Sequence, residues 1–444
     1  MNPHTKNTAS TPPLQKKVAG IAEHQARFKL QNELHMGPSE LISAPIQASH
    51  LALLIDADQA TQERRLIAQL CEHHSVTPPA DDVNHFSVQL GLFRLKWERH
   101  SEFSSYTFFS DAPFETPFAE PAISLVPDSW LESLPGEVLV ATHIVLESKQ
   151  QERRSLEELS MFFTANTLMG AEVAAGSAVV WTDNKIHADG FSRILIHDVE
   201  LRTRQTGRLL KRLIEIETYR MLAMRPVPIA RQYIPVLAEF DQRLAELTGN
   251  NSDTALQCLE DERKLLDKIT QLAAEIEQIS AHTTNQFNAS LAYYSIVKQR
   301  VSQLREKRIQ GLQMFHEFMN QRLTTSIDTC ASVQQHLETL STHVSRASSL
   351  LRTRVEISME AQSRDLLQSM DNRFKLQLRL QEMVEGLSVV VLSYYLLSIV
   401  AYGLKALKAS GVPLNVELST GIAIPVVIGV VFFSIRRLRK MIGH

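Results

Sequence analysis

Cysteine is scarce in this 444-residue chain, and over a long interval so is proline. The three cysteines, Cys71, Cys258 and Cys330, are odd in number and far apart. That excludes a disulfide framework and a zinc module and fits a reducing compartment. No proline lies between Pro235 and Pro413, and between Pro235 and Leu404 glycine occurs only at Gly249, Gly311, Gly386 and Gly403. An interval so poor in helix breakers, and rich in Leu, Glu, Gln, Arg, Lys and Ala, predicts long helices. Neither sign of charge dominates: the net charge is -3, so no nucleic-acid partner is expected. The first 26 residues are polar and lack an apolar core of roughly 7–15 residues, so no secretory signal is expected.

Catalytic signatures are absent too. There is no P-loop, no G-x-G-x-x-G after a strand, no G-x-S-x-G and no H-E-x-x-H. The reading is therefore a non-enzyme, with no catalytic residue and no cofactor identified; any transported or regulatory ion, and any metal ligand, stays unassigned.

Two stretches lack charge altogether. Gly386–Leu404 (GLSVVVLSYYLLSIVAYGL) and Leu418–Ile435 (LSTGIAIPVVIGVVFFSI) are 19 and 18 residues long. A bilayer core takes roughly 17–25 apolar helical residues to cross, so membrane lipid is an expected partner. Arg373, Lys375 and Arg379 precede the first run, and Arg436, Arg437, Arg439 and Lys440 follow the second. The excess of cations at both ends places both termini in the cytosol, at the cytoplasmic (inner) membrane.

The rest divides by period. Residues 1–26 read as a disordered tail and 27–200 as a cytosolic α/β domain. Strands are expected at Ile42–Ile55, Asn84–Arg99 with a slip at Gly91, Glu102–Phe109, Val138–Leu146, Ala178–Thr182 and Phe191–Val199, and a helix at Ala57–Cys71. Residues 201–250 read as basic connecting helices. Leu209, Leu210, Leu213 and Ile216 follow helical spacing, with Arg204, Arg208, Lys211 and Arg212 opposite. That basic face suits solvent, a neighbouring subunit or an anionic surface. Pro226, Pro228 and Pro235 then interrupt this helix or begin the next. Residues 251–386 read as a long helical stalk opened by an N-cap signal at Asn250–Asp253. Residues 387–404 and 418–435 are the two transmembrane helices, joined by an outer loop at 405–417, and 436–444 form a basic cytosolic tail. The fold class is an α+β membrane protein.

A lone stalk helix has no core of its own, so its stripe Leu367, Met370, Phe374 and Leu378, carried toward the membrane by Leu380, Met383 and Leu387, must pack on sister helices, in this chain or in other copies. In the first span, residues seven apart share a face: Gln381, Ser388, Tyr395 and Tyr402, with Glu385, Leu392 and Ile399 at the half steps. Around an axis they would line a pore, with Glu385 forming a carboxylate ring at its inner mouth and Leu392 and Ile399 an apolar gate. Gly403 and Lys405 would cap it. The plainer alternative is an anchor whose tyrosines sit at the interface. In the body, Trp97, Glu98, Arg99, His100 and Glu102 crowd one stretch. They form either a small cytosolic site or a charged bend between strands with Trp97 and Phe103 buried. Cys71-Glu72-His73-His74 reads as a helix C-terminus with histidines at its negative end.

Asn32-Glu33-Leu34-His35, Phe93-Arg94-Leu95-Lys96-Trp97-Glu98-Arg99-His100 with Glu102-Phe103, and Arg379-Leu380-Gln381-Glu382-Met383-Val384-Glu385-Gly386-Leu387-Ser388 together resemble a bacterial family of predicted membrane-anchored proteins that carries a domain of unknown function. A more distant resemblance is to the CorA-type metal-ion transporters. They have a cytosolic α/β domain, a long stalk helix, two C-terminal spans and a basic tail, and assemble as pentamers. Their first span ends in Tyr-Gly-Met-Asn, and Tyr402-Gly403-Leu404-Lys405 stands here. The asparagine that helps receive a hydrated divalent cation is a lysine in this chain, and a ring of Lys405 would repel one. The resemblance implies a homo-oligomeric ion transporter of unassigned ion. The alternative is a non-conducting membrane-anchored scaffold or sensor that binds a cytosolic partner.

Overall fold

The computed structural model describes residues 17–18, 21–22, 24, 40–56, 58–80, 83–249, 259–409 and 416–442. Cys258, the motif Asn32–His35, the N-cap signal at Asn250–Asp253 and most of the first 26 residues lie outside them. Within that expected tail, β1 (Lys17–Val18) and β2 (Ile21–Ala22) pair as a short antiparallel ribbon.

The chain divides into two compact units, one of residues 1–246 and 272–344, the other of 247–271 and 345–444. The first is built on β3 (Ile46–Leu54), β4 (His85–Leu90), β5 (Phe93–Arg99), β6 (Phe103–Ser110), β7 (Glu137–Glu147), β8 (Met169–Val173), β9 (Ala178–Thr182), β10 (Ser192–Asp198) and β11 (Lys307–Arg308). They form one sheet in the order β11-β8-β9-β10-β7-β3-β6-β5-β4. Only the β7–β10 neighbours run parallel. The slip expected at Gly91 is a hairpin turn between β4 and β5, with Gly91 at φ 61°, a left-handed geometry that favours glycine. β8 and β11 lie outside the expected strands. β8 is only five residues, Met-Gly-Ala-Glu-Val, and β11 is two charged residues far along the chain, so neither carries an apolar alternation long enough to read.

β3 and β6 lie in the interior of the sheet and are buried along nearly their whole length. Both faces of the sheet are therefore covered. On one side α1 (Ala60–His73) and α2 (Asp128–Glu132) pack Ile67, Leu70 and Trp130 over Leu51, Leu53, Leu95 and Tyr106. On the other, α4 (Thr203–Met224) packs Leu209, Leu210, Leu213 and Ile216 over Ala48, Ile144 and Ile196. The short α3 (Leu156–Phe162) seats Leu159 beside Trp181 near the edge. α5 (Val227–Gly249) starts directly after Pro226; Pro228 falls in its first turn, where the missing N–H costs nothing, and Pro235 lies inside it.

Helix then dominates, in α6 (Leu259–Leu304), α7 (Phe315–Phe318), a π turn at Met319–Thr324, and α8 (Thr325–Ala409). Val297, Val301 and Leu304 of α6, with Phe315, Met319, Leu323 and Ile327, join the core under α4. Residues 272–344 of the helical stretch thus share a unit with the sheet.

In the second unit, the start of α6 meets α8: Ser358 Oγ donates to Glu262 Oε2 at 2.8 Å. Beyond Val355 the large apolar side chains of α8 up to Val384 are exposed, Leu367, Met370, Phe374 and Leu378 among them. α9 (Val416–Ile442) follows. Among the described residues, two helices are long and apolar enough to cross a membrane, with mean hydropathy 2.0 and 2.3 over their most apolar stretches. α8 continues to Ala409, so Lys405, expected at the start of the outer loop, sits on the helix together with Gly403. The middle of that loop, 410–415, lies outside the described residues.

Candidate functional site

Alternation in β5 sorts the charged motif onto two faces. Trp97 and Arg99 point toward α1, where Glu63 is fully buried. Its Oε1 accepts from Trp97 Nε1 at 2.8 Å and from the Tyr106 hydroxyl at 2.5 Å, and its Oε2 from Arg99 Nη1 at 2.5 Å. Trp97 is therefore core, as the charged-bend reading expects, and so is Phe103. Lys96 and Glu98 point the other way, into a cavity of about 280 Å³.

That cavity lies between the sheet and α4, in the first unit. Lys96, Glu98, His100, Phe103 and Thr107 line its sheet side, and Gly207, Lys211, Glu215, Thr218 and Tyr219 its helix side. Gly207 is required: a Cβ there would stand 1.8 Å from the carbonyl oxygen of Glu40. His50 forms the floor. Its Nδ1 meets Thr107 Oγ1 at 2.9 Å and its Nε2 meets Thr218 Oγ1 at 3.1 Å, so one ring nitrogen accepts and the other donates. Burial, reinforced by Lys96 and His100 and opposed by Glu98, lowers its pKa to about 3; the ring is neutral at physiological pH.

Lys96 and Glu98 pair at 2.8 Å. Burial pushes the Glu98 carboxyl up, but Lys96, Lys211 and His100 outweigh it and hold the group below the usual carboxylate range. His100 stacks on Phe103 at 4.2 Å, and burial keeps its pKa low despite Glu98. Among the five body residues singled out in the sequence, Glu98 and His100 line the cavity, Arg99 borders it while its guanidinium reaches Glu63 on the other face, Trp97 does not line it and Glu102 is exposed. His50, Thr107, Lys211 and Thr218 were missed as a site. A histidine next to the apolar run Leu51–Leu54 was the one signal present. The arrangement offers neutral imidazole, hydroxyls and paired charges, which suits reversible binding of a small polar solute; no group of three His, Cys, Asp or Glu that could hold a metal ion occurs among the described residues.

The second candidate lies on α8. The stripe Leu367, Met370, Phe374, Leu378 runs on into Gln381, Glu385, Ser388, Leu392, Tyr395, Ile399 and Tyr402 in steps of three and four. Ten steps cover 35 residues, a mean of 3.5, the period of a left-handed coiled-coil seam. Every apolar member of this row is exposed in the single chain. α9 packs elsewhere: Val389, Val390, Ser393, Tyr394 and Leu397 share an apolar cleft with Ile424, Val427 and Ile428. At about 100° per residue, Ser393 and Tyr395 point about 200° apart. The row therefore lies on the side of α8 turned away from α9. Gly403 is open, with nothing near a Cβ built there, and Lys405 folds its ammonium over the Tyr402 ring at 5.8 Å.

No curated protein and no solved structure matches the chain. Residues 22–442, nearly its whole length, match one family model. The chain belongs to the family described as a protein of unknown function (DUF3422).

Proposed function

We propose that the chain is a homo-oligomeric inner-membrane protein, its copies joined along the α8 row, that moves or senses an ion along the resulting axis. One observation carries this: a mean period of 3.5 from Leu367 to Tyr402, on a face of α8 that around Leu392 and Tyr395 points away from α9. A helix face that keeps a mean period of 3.5 beyond the reach of its own chain's core is suited to burial by copies of itself. Gln381, Glu385 and Ser388 would then meet at the inner end of the bundle, where a carboxylate ring attracts cations, and Leu392 and Ile399 would close it. A CorA-like pentamer with both termini in the cytosol fits this arrangement. Lys405 at the far end argues for a monovalent ion over a divalent one.

The test has three parts. Native mass spectrometry of the nanodisc-held particle should give a pentamer or another closed ring. Disulfide cross-linking should proceed from Met370→Cys, Phe374→Cys and Tyr395→Cys, and fail from Asn372→Cys and Leu397→Cys on the opposite faces. Cation flux into proteoliposomes should fall several-fold in Glu385→Gln. A monomer, or cross-links indifferent to face, removes the reading.

A second reading has its own observation, the polar cavity around His50 and Lys96. It makes the chain a membrane-anchored, non-conducting sensor. An oligomer without flux, together with a soluble ligand that stabilises the wild type and not Lys96→Met, would select it.

A further inference from the structure

The basic face of α4 separates into two parts. Lys211 turns to the cavity. Arg208 and Arg212, one turn apart, lie with Glu215 along one edge of the helix. Against that edge comes the C-terminal end of α6, pinned by Arg300, whose Nε donates to Glu215 Oε2 at 2.5 Å. Arg300 also donates from Nη1 to Gln303 Oε1 at 3.4 Å. One residue past the end of α6, Arg305 takes a left-handed backbone, φ 54°. The next carboxylate, Glu306, turns away and accepts from the backbone N–H of His316 at 3.3 Å.

Arg208 and Arg212 thus share an edge of α4 with Glu215, Arg300 reaches that edge from α6 with Arg305 five residues on, and Glu215 is already committed to Arg300. Among the described residues, the side chains of Arg208, Arg212 and Arg305 have no hydrogen-bond or ion-pair partner. Arg212 is half-buried, and burial, with Arg208, Arg300 and Arg305 close by, loosens its hold on its proton. Uncompensated like charge around a half-buried guanidinium is costly for the folded chain unless an anion occupies the gap. A guanidinium presents planar pairs of donors that match the oxygens of a phosphate, and several together favour a multiply charged one.

We infer that Arg208, Arg212, Arg300 and Arg305 form a binding site for a phosphate-bearing anion, either a soluble polyphosphate or the headgroup of an anionic phospholipid. This goes beyond the oligomer reading and does not depend on it, because all four residues belong to the first unit.

The full chain is to be placed in nanodiscs of phosphatidylcholine alone and titrated with inorganic pyrophosphate at constant ionic strength. In parallel it is placed in discs containing phosphatidylglycerol. A rise in Tm with pyrophosphate assigns the site to a soluble ligand; a rise only in the phosphatidylglycerol discs, reversed by salt, assigns it to a headgroup. Either rise should vanish in the triple variant Arg208→Gln/Arg212→Gln/Arg305→Gln, which loses unpaired charge and should be at least as stable as wild type without ligand. Arg212→Lys should weaken whichever ligand binds about tenfold, because a point charge replaces a two-pronged donor. If the triple variant fails to fold, Arg212→Gln alone gives the same readout. No rise in either arm, or a rise of equal size in the variant, overturns the site.

Discussion

Glu63 is the side chain on which the core side of the charged motif depends. It is a fully buried carboxylate with three donors, Trp97 Nε1, the Tyr106 hydroxyl and Arg99 Nη1, and Arg99 is itself mostly buried. Replacing it by glutamine keeps the shape but removes the charge and turns an amide N–H₂ toward one of the donors. Breaking one side of a buried ion pair costs about 3–5 kcal/mol, because the remaining charge stays in a low-dielectric site. Each orphaned neutral donor adds about 1–3 kcal/mol. Alanine, which leaves all three donors unmet and opens a void, should exceed glutamine. At about 2–4 °C per kcal/mol for a domain of this size, Glu63→Gln should lower Tm by roughly 6–20 °C. Trp97 emission reports the transition, since its ring N–H touches the substituted group. The companion variant Arg99→Met should be costly alone, and costs of the two together should fall well short of additive, since each removes the same pair. A Glu63→Gln protein melting within about a degree of wild type would show that Arg99 and Tyr106 find water or other acceptors, and would refute the argument.

Two further outcomes follow from the cavity. His50 is held neutral, with a pKa lowered from 6.5 to about 3, so the unfolded chain binds the extra proton; its stabilising contribution is present above about pH 6.5 and is lost as pH falls toward 3. Between pH 7 and 5 that amounts to about 2 kcal/mol, reinforced by His143, lowered to about 4 by burial, and opposed by Glu306, which burial raises to about 7 and which therefore favours the fold at the acid side. Thermal melts across this range should slope more gently in His50→Gln, and an unchanged slope would show that His50 does not titrate on unfolding. Gly207→Ala forces a Cβ against the Glu40 carbonyl, so α4 or the segment at Glu40 must move. About 1–3 kcal/mol of destabilisation is expected in a denaturant melt, and an unaltered midpoint would mean that the segment at Glu40 yields without cost.

Much of this fold is legible in the chain because its signals are local. The strands around Leu51, Leu95, Ile144 and Ile196 announce themselves by apolar β-formers, Gly91 by the break in alternation, and the membrane-length helices by the absence of charge over 19 and 18 residues. The period of β5 even predicts that Trp97 and Glu98 face opposite ways. What it cannot give is the identity of the group waiting on either side. Glu63, 34 residues earlier, supplies the acceptor for Trp97, and Thr218, 168 residues after His50, holds that ring.

The same limit explains why the four arginines look like two unrelated features in sequence. Arg208 and Arg212 show as one basic helical face, whereas Arg300 and Arg305 lie in a mixed-charge helix end, and only the pairing of Arg300 with Glu215 brings them together. The α8 row is the opposite case. It is read from one continuous helix, needs no tertiary contact to define it, and so shows in sequence as the stripe from Leu367 to Leu378, expected to run on through Leu380, Met383 and Leu387, and as the face from Gln381 to Tyr402. The structure adds the direction in which α9 lies. With that side taken, a face of period 3.5 that stays exposed through Leu392, Tyr395 and Ile399 has either lipid or its own copies to meet. Lipid gives the apolar members no reason to keep that register, whereas neighbouring copies would, and the contrast between Tyr395→Cys and Leu397→Cys in cross-linking separates the two.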